Sequence, residues 1–260
     1  MSGINELMKD LSAAMDGRDT VYMLGGGAPA HIPDVETILR RRMRDIMQSG
    51  DEFERMIGDY DSPRGAGAFT EALASLLSRE FGWPVTSRNI ALTNGSQNTF
   101  FYLFNMCAGP MGNGRKKKVL FPLTPEYIGY ADVGLCEDLF SAGMPEIQLI
   151  DEHMFKYRID FDRLDVGDDI GAVCVSRPTN PTGNVITDEE IATLADSTKQ
   201  RNIPFIIDCA YGLPFPRRRV YRCVALLRRA RDHVHEPVKA GPAGNEDGDR
   251  GRPGRDHHVD

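Results

Sequence analysis

Apolar residues fall along this chain in two kinds of pattern, and the two alternate. Short, nearly continuous apolar runs occur at Ile90-Ala91-Leu92, Val119-Leu120-Phe121, Ile147 to Ile150, Ala172 to Val175 and Phe205-Ile206-Ile207. Runs of that length read as buried strands. Between them lie segments with helical spacing. Ser96 opens a helix through Phe100, Phe101, Leu103, Phe104 and Met106; it is apolar nearly all round and is expected to be buried. A second helix starts at Thr187, which stands three residues before Glu190 in capping-box spacing. Strands alternating with helices predict an α/β fold, a mostly parallel sheet between helical layers.

The first 85 residues differ. They hold a Gly-rich stretch (Leu24 to Pro29), a helix from about Asp34 to Ser49, and an amphipathic helix with Phe69, Leu73, Leu76, Leu77 and Phe81 on one face. Residues 1–85 read as an N-terminal arm with a small-domain contribution, and residues 86–216 as the main α/β unit. There is no internal repeat. At Pro216 the chain changes character. Residues 1–216 carry 20 Lys and Arg against 31 Asp and Glu, whereas residues 217–260 carry 11 against 7. That tail contains four of the six histidines, a single aromatic residue (Tyr221), and no Ile, Met or Phe. Its Gly/Pro/Asp/Arg mixture is expected to be disordered.

Composition narrows the function. A net charge of −7 argues against nucleic acid or an anionic membrane as the main partner. No apolar run is long enough to span a bilayer, and no basic-then-apolar leader opens the chain. The five cysteines (Cys107, Cys136, Cys174, Cys209, Cys223) form no CxxC pair and fit reduced thiols in a cytoplasmic protein.

Candidate chemistry is concentrated after the strands. Ser176 to Gly183, S-R-P-T-N-P-T-G, follows a buried strand directly; Asn-Pro-Thr-Gly alone is ordinary turn chemistry. Some twenty-five residues later a strand runs into Asp208-Cys209-Ala210-Tyr211. A carboxylate at the carboxyl end of a parallel strand points into the crevice where such sheets bind ligands. Thr93-Asn94-Gly95-Ser96-Gln97 places a turn at a helix N-terminus, a natural anion cradle, though it could equally cap any buried helix.

In combination these segments resemble the class I/II (fold type I) aminotransferases. The wording of Leu24 to Gly27, Ala91 to Gln97, Phe121 to Asp132 and Val175 to Glu190 is most similar to the valine–pyruvate transaminase family. The resemblance runs from near the start to Pro216 and covers about half of a full-length member. It implies the large domain of a fold type I transferase, incomplete here, with pyridoxal 5'-phosphate as cofactor. Asp208 would partner the pyridinium nitrogen, Asn180 and Tyr211 the ring O3′, and Gly95, Ser96 and Gln97 the phosphate. Tyr127 would stack on the ring, Tyr60 would reach the phosphate of a neighbouring subunit, and Gly26 and Gly27 would line the substrate side. No metal is implied. The implied substrates are a small aliphatic amino acid such as valine and pyruvate or another 2-oxo acid, and the implied assembly is a homodimer in amino acid biosynthesis.

The resemblance breaks at Arg217. The family continues to a strand and a Ser-Leu-Ser-Lys turn, whose lysine bonds the cofactor covalently, followed by a phosphate-binding arginine. The codons of this chain permit that segment in another frame. Taking the last two bases of each codon with the first of the next from His233 allows Met, Cys, Met, Ser, Leu, Ser, Lys through the Lys239–Ala240 junction. Gly241 to Asp247 then allow Gly-Leu-Pro-Gly-Thr-Arg. Arg217 to Asp260 are therefore expected to be translated out of frame. Lys239 stands at the position equivalent to the family lysine but outside its turn, so this chain is expected to be an inactive fragment. The alternatives are a non-catalytic binding module or dimer partner that keeps part of the pocket, and a regulator fused to a DNA-binding domain. No basic helix-turn-helix precedes Met23, which counts against the regulator.

Overall fold

The computed structural model describes residues 6, 8–10, 12–13, 30–112 and 114–212, and the backbone alone of 226–227 and 238–239. Helix α1 (Pro33–Gln48) begins with Pro33, whose missing N–H is no loss in a first turn, and carries Asp34 and Glu36 against the positive end of the helix dipole. A short α2 (Glu52–Gly58) follows, then α3 (Gly67–Phe81). Helix α3 stops at Gly82, whose φ of 65° is a left-handed cap that only glycine adopts without strain. Its apolar face is half-buried, except that Phe69 is exposed.

Ile90-Ala91-Leu92, expected as a strand, is not one. Leu92 N–H bonds the carbonyl of Arg64 at 2.9 Å, and no described strand lies alongside to extend a ladder. An apolar tripeptide becomes a strand only where a neighbour takes its backbone groups.

The sheet holds β1 (Gly109–Pro110), β2 (Lys116–Phe121), β3 (Phe140–Ala142), β6 (Ile170–Ser176) and β7 (Phe205–Asp208). Strands β3, β2, β6 and β7 are parallel, and only β1 runs antiparallel, against the start of β2. Ile147 to Ile150 does not join them. It belongs to β4 (Pro145–Leu149), which pairs antiparallel with β5 (Phe155–Ile159) as a separate hairpin.

Period-2 alternation sends the sheet's side chains to two cores. Val119, Phe121 and Cys174 face α4 (Ser96–Cys107) through Phe100 and Phe104, while Leu120, Val173 and Val175 face α5 (Asp188–Gln200) through Ile191 and Leu194. All seven residues of β6 are buried, as expected of a strand covered on both faces. Helix α4 is buried on one side only. Phe101, Tyr102 and Met106 are 36%, 55% and 76% exposed, so the expectation of burial all round is corrected: a single sheet face can cover only one stripe of a helix. Where α4 ends, a Cβ on Gly171 would lie 1.8 Å from the Cys107 carbonyl oxygen, so only glycine lets the helix end reach the sheet.

Thr187 caps α5 as its spacing predicts. Its hydroxyl accepts the Glu190 N–H at 3.2 Å, and Glu190 accepts the Thr187 N–H at 2.8 Å. Glu190 also accepts the Ile159 N–H at 3.2 Å, tying β5 to the same helix. In the tail, Leu226–Leu227 pairs antiparallel with Val238–Lys239. The expected disorder elsewhere in the tail, the side chain of Lys239, and Gly26 and Gly27 lie outside the described residues.

Candidate active site

The carboxyl ends of β6 and β7 open into a cleft of about 230 Å³, lined by Ser96, Tyr127, Ser176, Pro178, Asn180, Asp208, Ala210 and Tyr211. A cleft there follows from the topology, because loops leaving adjacent parallel strands diverge. Five residues singled out from the sequence meet in it: Ser96, Tyr127, Asn180, Asp208 and Tyr211. They come from four separate segments of chain.

Asp208 closes β7 opposite Ser176 of β6 in the strand register. Its Oδ2 accepts the Tyr130 hydroxyl at 2.6 Å and its Oδ1 accepts the Ala210 N–H at 2.9 Å. The Arg177 N–H, donated to the Asp208 carbonyl at 2.8 Å, ties the two strand ends together. Asn180 Nδ2 donates to the Tyr211 hydroxyl at 3.5 Å, so the two side chains converge at one side of the cleft. The loop from Arg177 to Asn184 is braced from below by the buried Arg177, whose Nη2 lies 2.5 Å from Asp188 Oδ1 in the first turn of α5.

Ser96 stands at the start of α4. The preceding Gly95 has a φ of 91°, which favours glycine, and no side chain caps the helix. The first N–H groups of a twelve-residue helix are thus left for an anion at the edge of the cleft. Gln97 turns its side chain away from the cleft: its Nε2 donates to the Gly129 carbonyl at 2.5 Å, bracing the loop that carries Tyr127, while its N–H belongs to the open first turn of α4. Gly95 shapes the turn without lining the cleft itself. Tyr127 needs Gly129, because a Cβ there would lie 2.3 Å from the tyrosine ring. Tyr60 is fully exposed and lies outside this cleft.

Two residues escaped the sequence reading although both sit in the segment Pro125 to Tyr130. Tyr130 is buried and holds Asp208; burial and that bond push its hydroxyl well above the ordinary phenol range. Glu126 lies behind Ser176, accepting its N–H at 2.9 Å and its hydroxyl at 2.5 Å, and the Tyr127 N–H at 3.3 Å. Burial raises the Glu126 carboxyl to about 7 against the pull of those hydrogen bonds, and the nearby Asp208 adds to the rise. Burial also raises the thiol of Cys209, next to Asp208. Among the described residues no cluster of His, Cys, Asp and Glu could hold a metal ion, and no helix is long and apolar enough to cross a membrane.

A parallel sheet with an anchored carboxylate at one strand end, an Asn–Tyr donor pair beside it and an uncapped helix start across the cleft fits a phosphorylated, nitrogen-containing ring. The chain belongs to the aminotransferase class I and II family, whose profile matches residues 39–217. It is 52% identical over 217 residues to the valine–pyruvate aminotransferase of Escherichia coli K12, covering 83% of this chain and 51% of that one. Among solved structures, the valine–pyruvate aminotransferase of Salmonella typhimurium LT2 matches with a TM-score of 0.67 at 50% identity, over 82% of this chain and 51% of that one. A Psychrobacter arcticum 273-4 protein carrying an amino-acid aminotransferase name matches with a TM-score of 0.75 at 45% identity, over 83% and 53%. The fold is accordingly that of the type I aminotransferases, in part: the chain spans about half the length of these relatives.

Proposed function

We propose that this chain is the cofactor-binding half of a pyridoxal 5'-phosphate-dependent transaminase that moves an amino group between valine, or a similar small aliphatic amino acid, and pyruvate or another 2-oxo acid. The reading includes a homodimer and a cytoplasmic setting. The observation that carries it is the cleft that brings Ser96, Tyr127, Asn180, Asp208 and Tyr211 together. The choice of valine and pyruvate rests on the relatives that bear that name.

The donor set suits the cofactor. When bound, pyridoxal phosphate supplies an electron sink for the bonds at the amino acid Cα. Asp208, held from both sides by Tyr130 and Ala210, would face the ring nitrogen and favour its protonated form. Asn180 and Tyr211 would donate to the ring oxygen, Tyr127 would stack on the ring, and Ser96 with the α4 N-terminus would hold the phosphate. Tyr60 would serve a neighbouring subunit, and Gly26 and Gly27 the substrate side.

Pyridoxamine 5'-phosphate tests the site without forming Schiff bases on surface lysines. The chain is expected to bind it, and Asp208→Ala to weaken binding about tenfold or more, the worth of one charge-assisted contact. Failure of the unaltered chain to bind, or equal binding by Asp208→Ala, would sink the assignment.

The segment Arg217 to Asp260 is proposed to be read out of frame, on the codon agreement from His233 to Asp247. Resequencing the gene around Pro216 decides it: the expected outcome is a frame that runs on through Ser-Leu-Ser-Lys, and confirmation of the present frame ends the idea. The 260-residue chain is expected to show no valine–pyruvate turnover, since bonding the cofactor and moving the Cα proton fall to one lysine. Turnover that vanishes on Lys239→Ala would instead make Lys239 the catalyst.

A further inference from the structure

Glu126 touches no ligand in the reading above, yet behind the wall of the cleft it is held more firmly than a surface carboxylate requires. Three protein donors converge on it: the Ser176 N–H at 2.9 Å, the Ser176 hydroxyl at 2.5 Å and the Tyr127 N–H at 3.3 Å. Two of those donors belong to Ser176 and one to Tyr127, and both of those residues line the cleft. Ser176 is also the strand partner of Asp208, the carboxylate proposed above to face the ring nitrogen, and both residues line the cleft. No other described side chain hydrogen-bonds the Ser176 hydroxyl as donor or acceptor partner in the structure's side-chain contacts.

A serine hydroxyl has one hydrogen and two lone pairs, and an ionised carboxylate can only accept. While Glu126 is ionised, the Ser176 hydrogen is committed to it and the cleft meets Ser176 lone pairs. When Glu126 is protonated, its own O–H can donate to Ser176 Oγ across the same short contact, which frees the serine hydrogen for the cleft. We propose that Glu126 is a positioning residue that sets whether Ser176 presents a hydrogen or a lone pair to a ligand in the cleft. This rests on the cleft being the pyridoxal-phosphate site.

The surroundings let that reversal occur near neutral pH. Burial raises the Glu126 carboxyl to about 7. Among the described residues, the titratable groups that act on it are Asp208 from β7, Cys174 from β6 and Tyr130 from its own segment, and none of these brings a positive charge. A protonated ring bound against Asp208 would bring one; that direct attraction to Glu126 persists in Ser176→Ala, so the part of the coupling lost with the serine hydroxyl is the part that belongs to the reversal.

The test is a titration of the full 260-residue chain with pyridoxamine 5'-phosphate, from about pH 6 to about pH 8, on either side of the Glu126 transition. The unaltered chain, Glu126→Gln, Ser176→Ala, the double variant and Asp208→Ala are compared. Gln is neutral at every pH and can donate, so it mimics the protonated acid. Glu126→Gln is expected to bind as well as the unaltered chain at the acid end and about tenfold more weakly at the alkaline end, one pH unit of coupling. With Ser176 replaced by Ala, most of that difference is expected to disappear. A Glu126→Gln effect that is the same at every pH, or undiminished in the Ser176→Ala background, would overturn the proposal. If the unaltered chain does not bind the probe, or Asp208→Ala binds equally well, the cofactor reading fails by itself. Glu126 is then judged on the free chain by infrared spectroscopy. A carboxylic-acid carbonyl band that titrates near neutrality, is lost in Glu126→Gln and shifts in Ser176→Ala supports the reversal, and absence of such a band overturns it.

Discussion

Helices α1 and α5 both carry start signals in their first turns and end very differently. Helix α5 has a complete capping box and buries Glu190, Ile191, Leu194, Ala195 and Thr198 against the sheet. Helix α1 has Pro33 and two acids in its first turn, yet buries nothing: Ile38, Leu39, Met43 and Met47 are all more than 40% exposed. Local signals therefore decide where a helix begins, and a partner surface decides whether its apolar stripe contributes to stability. For α5 that surface is the face of β6; for α1 no described element provides one.

Truncating the two stripes should separate them most clearly. Leu194→Ala is expected to cost about 2–5 kcal/mol in urea unfolding, because it empties a closed core. Leu39→Ala is expected to change stability by less than about 0.5 kcal/mol. A large loss from Leu39→Ala would mean that α1 is packed after all, against another part of the chain or a second copy. A smaller effect is expected from the caps. Thr187→Ala should cost about 1 kcal/mol, since it leaves the Glu190 N–H without its acceptor. An unchanged midpoint would show that burial alone holds α5. The remaining effect is a dependence on pH. The folded chain keeps a proton on Glu126 up to about pH 7, whereas the ordinary value for the unfolded chain is 4.5. The stability this group contributes is complete at acid pH, declines above 4.5 and is lost as pH rises through about 7. Glu126→Gln should flatten that decline, and an identical pH profile for both chains would refute it.

Strands β2, β6 and β7 and the cap of α5 were legible in the sequence because each is written in a contiguous run. The run at Ile90 has the same appearance as β7 but pairs only through Leu92 with the loop at Arg64. Periodicity records what a strand could bury and is silent on whether a neighbour exists. Strand β4 was legible as a strand and not as a hairpin, since its partner Phe155–Ile159 carries charges at Lys156 and Arg158 that interrupt the apolar pattern. In the cleft, the place of Asp208 could be read from a strand end, whereas Asn180 and Tyr211 were singled out only through the resemblance of their segments to a family. Tyr130 and Glu126 could not be read, because their parts depend on contacts 78 and 50 residues away in sequence.

The pairing of Ser176 with Asp208 makes the cleft a gauge of how the chain was assembled. If β7 slipped by one residue against β6, alternation would turn Asp208 toward the α5 side and present Ile207, now packed in that core, to the cleft. A misregistered chain could stay compact and hide most of its apolar surface while lacking any grip on the ligand. Ligand-competent fraction, measured by stoichiometry and not by affinity, would then count correctly threaded molecules in a preparation. Ligand present during refolding would enrich them by mass action.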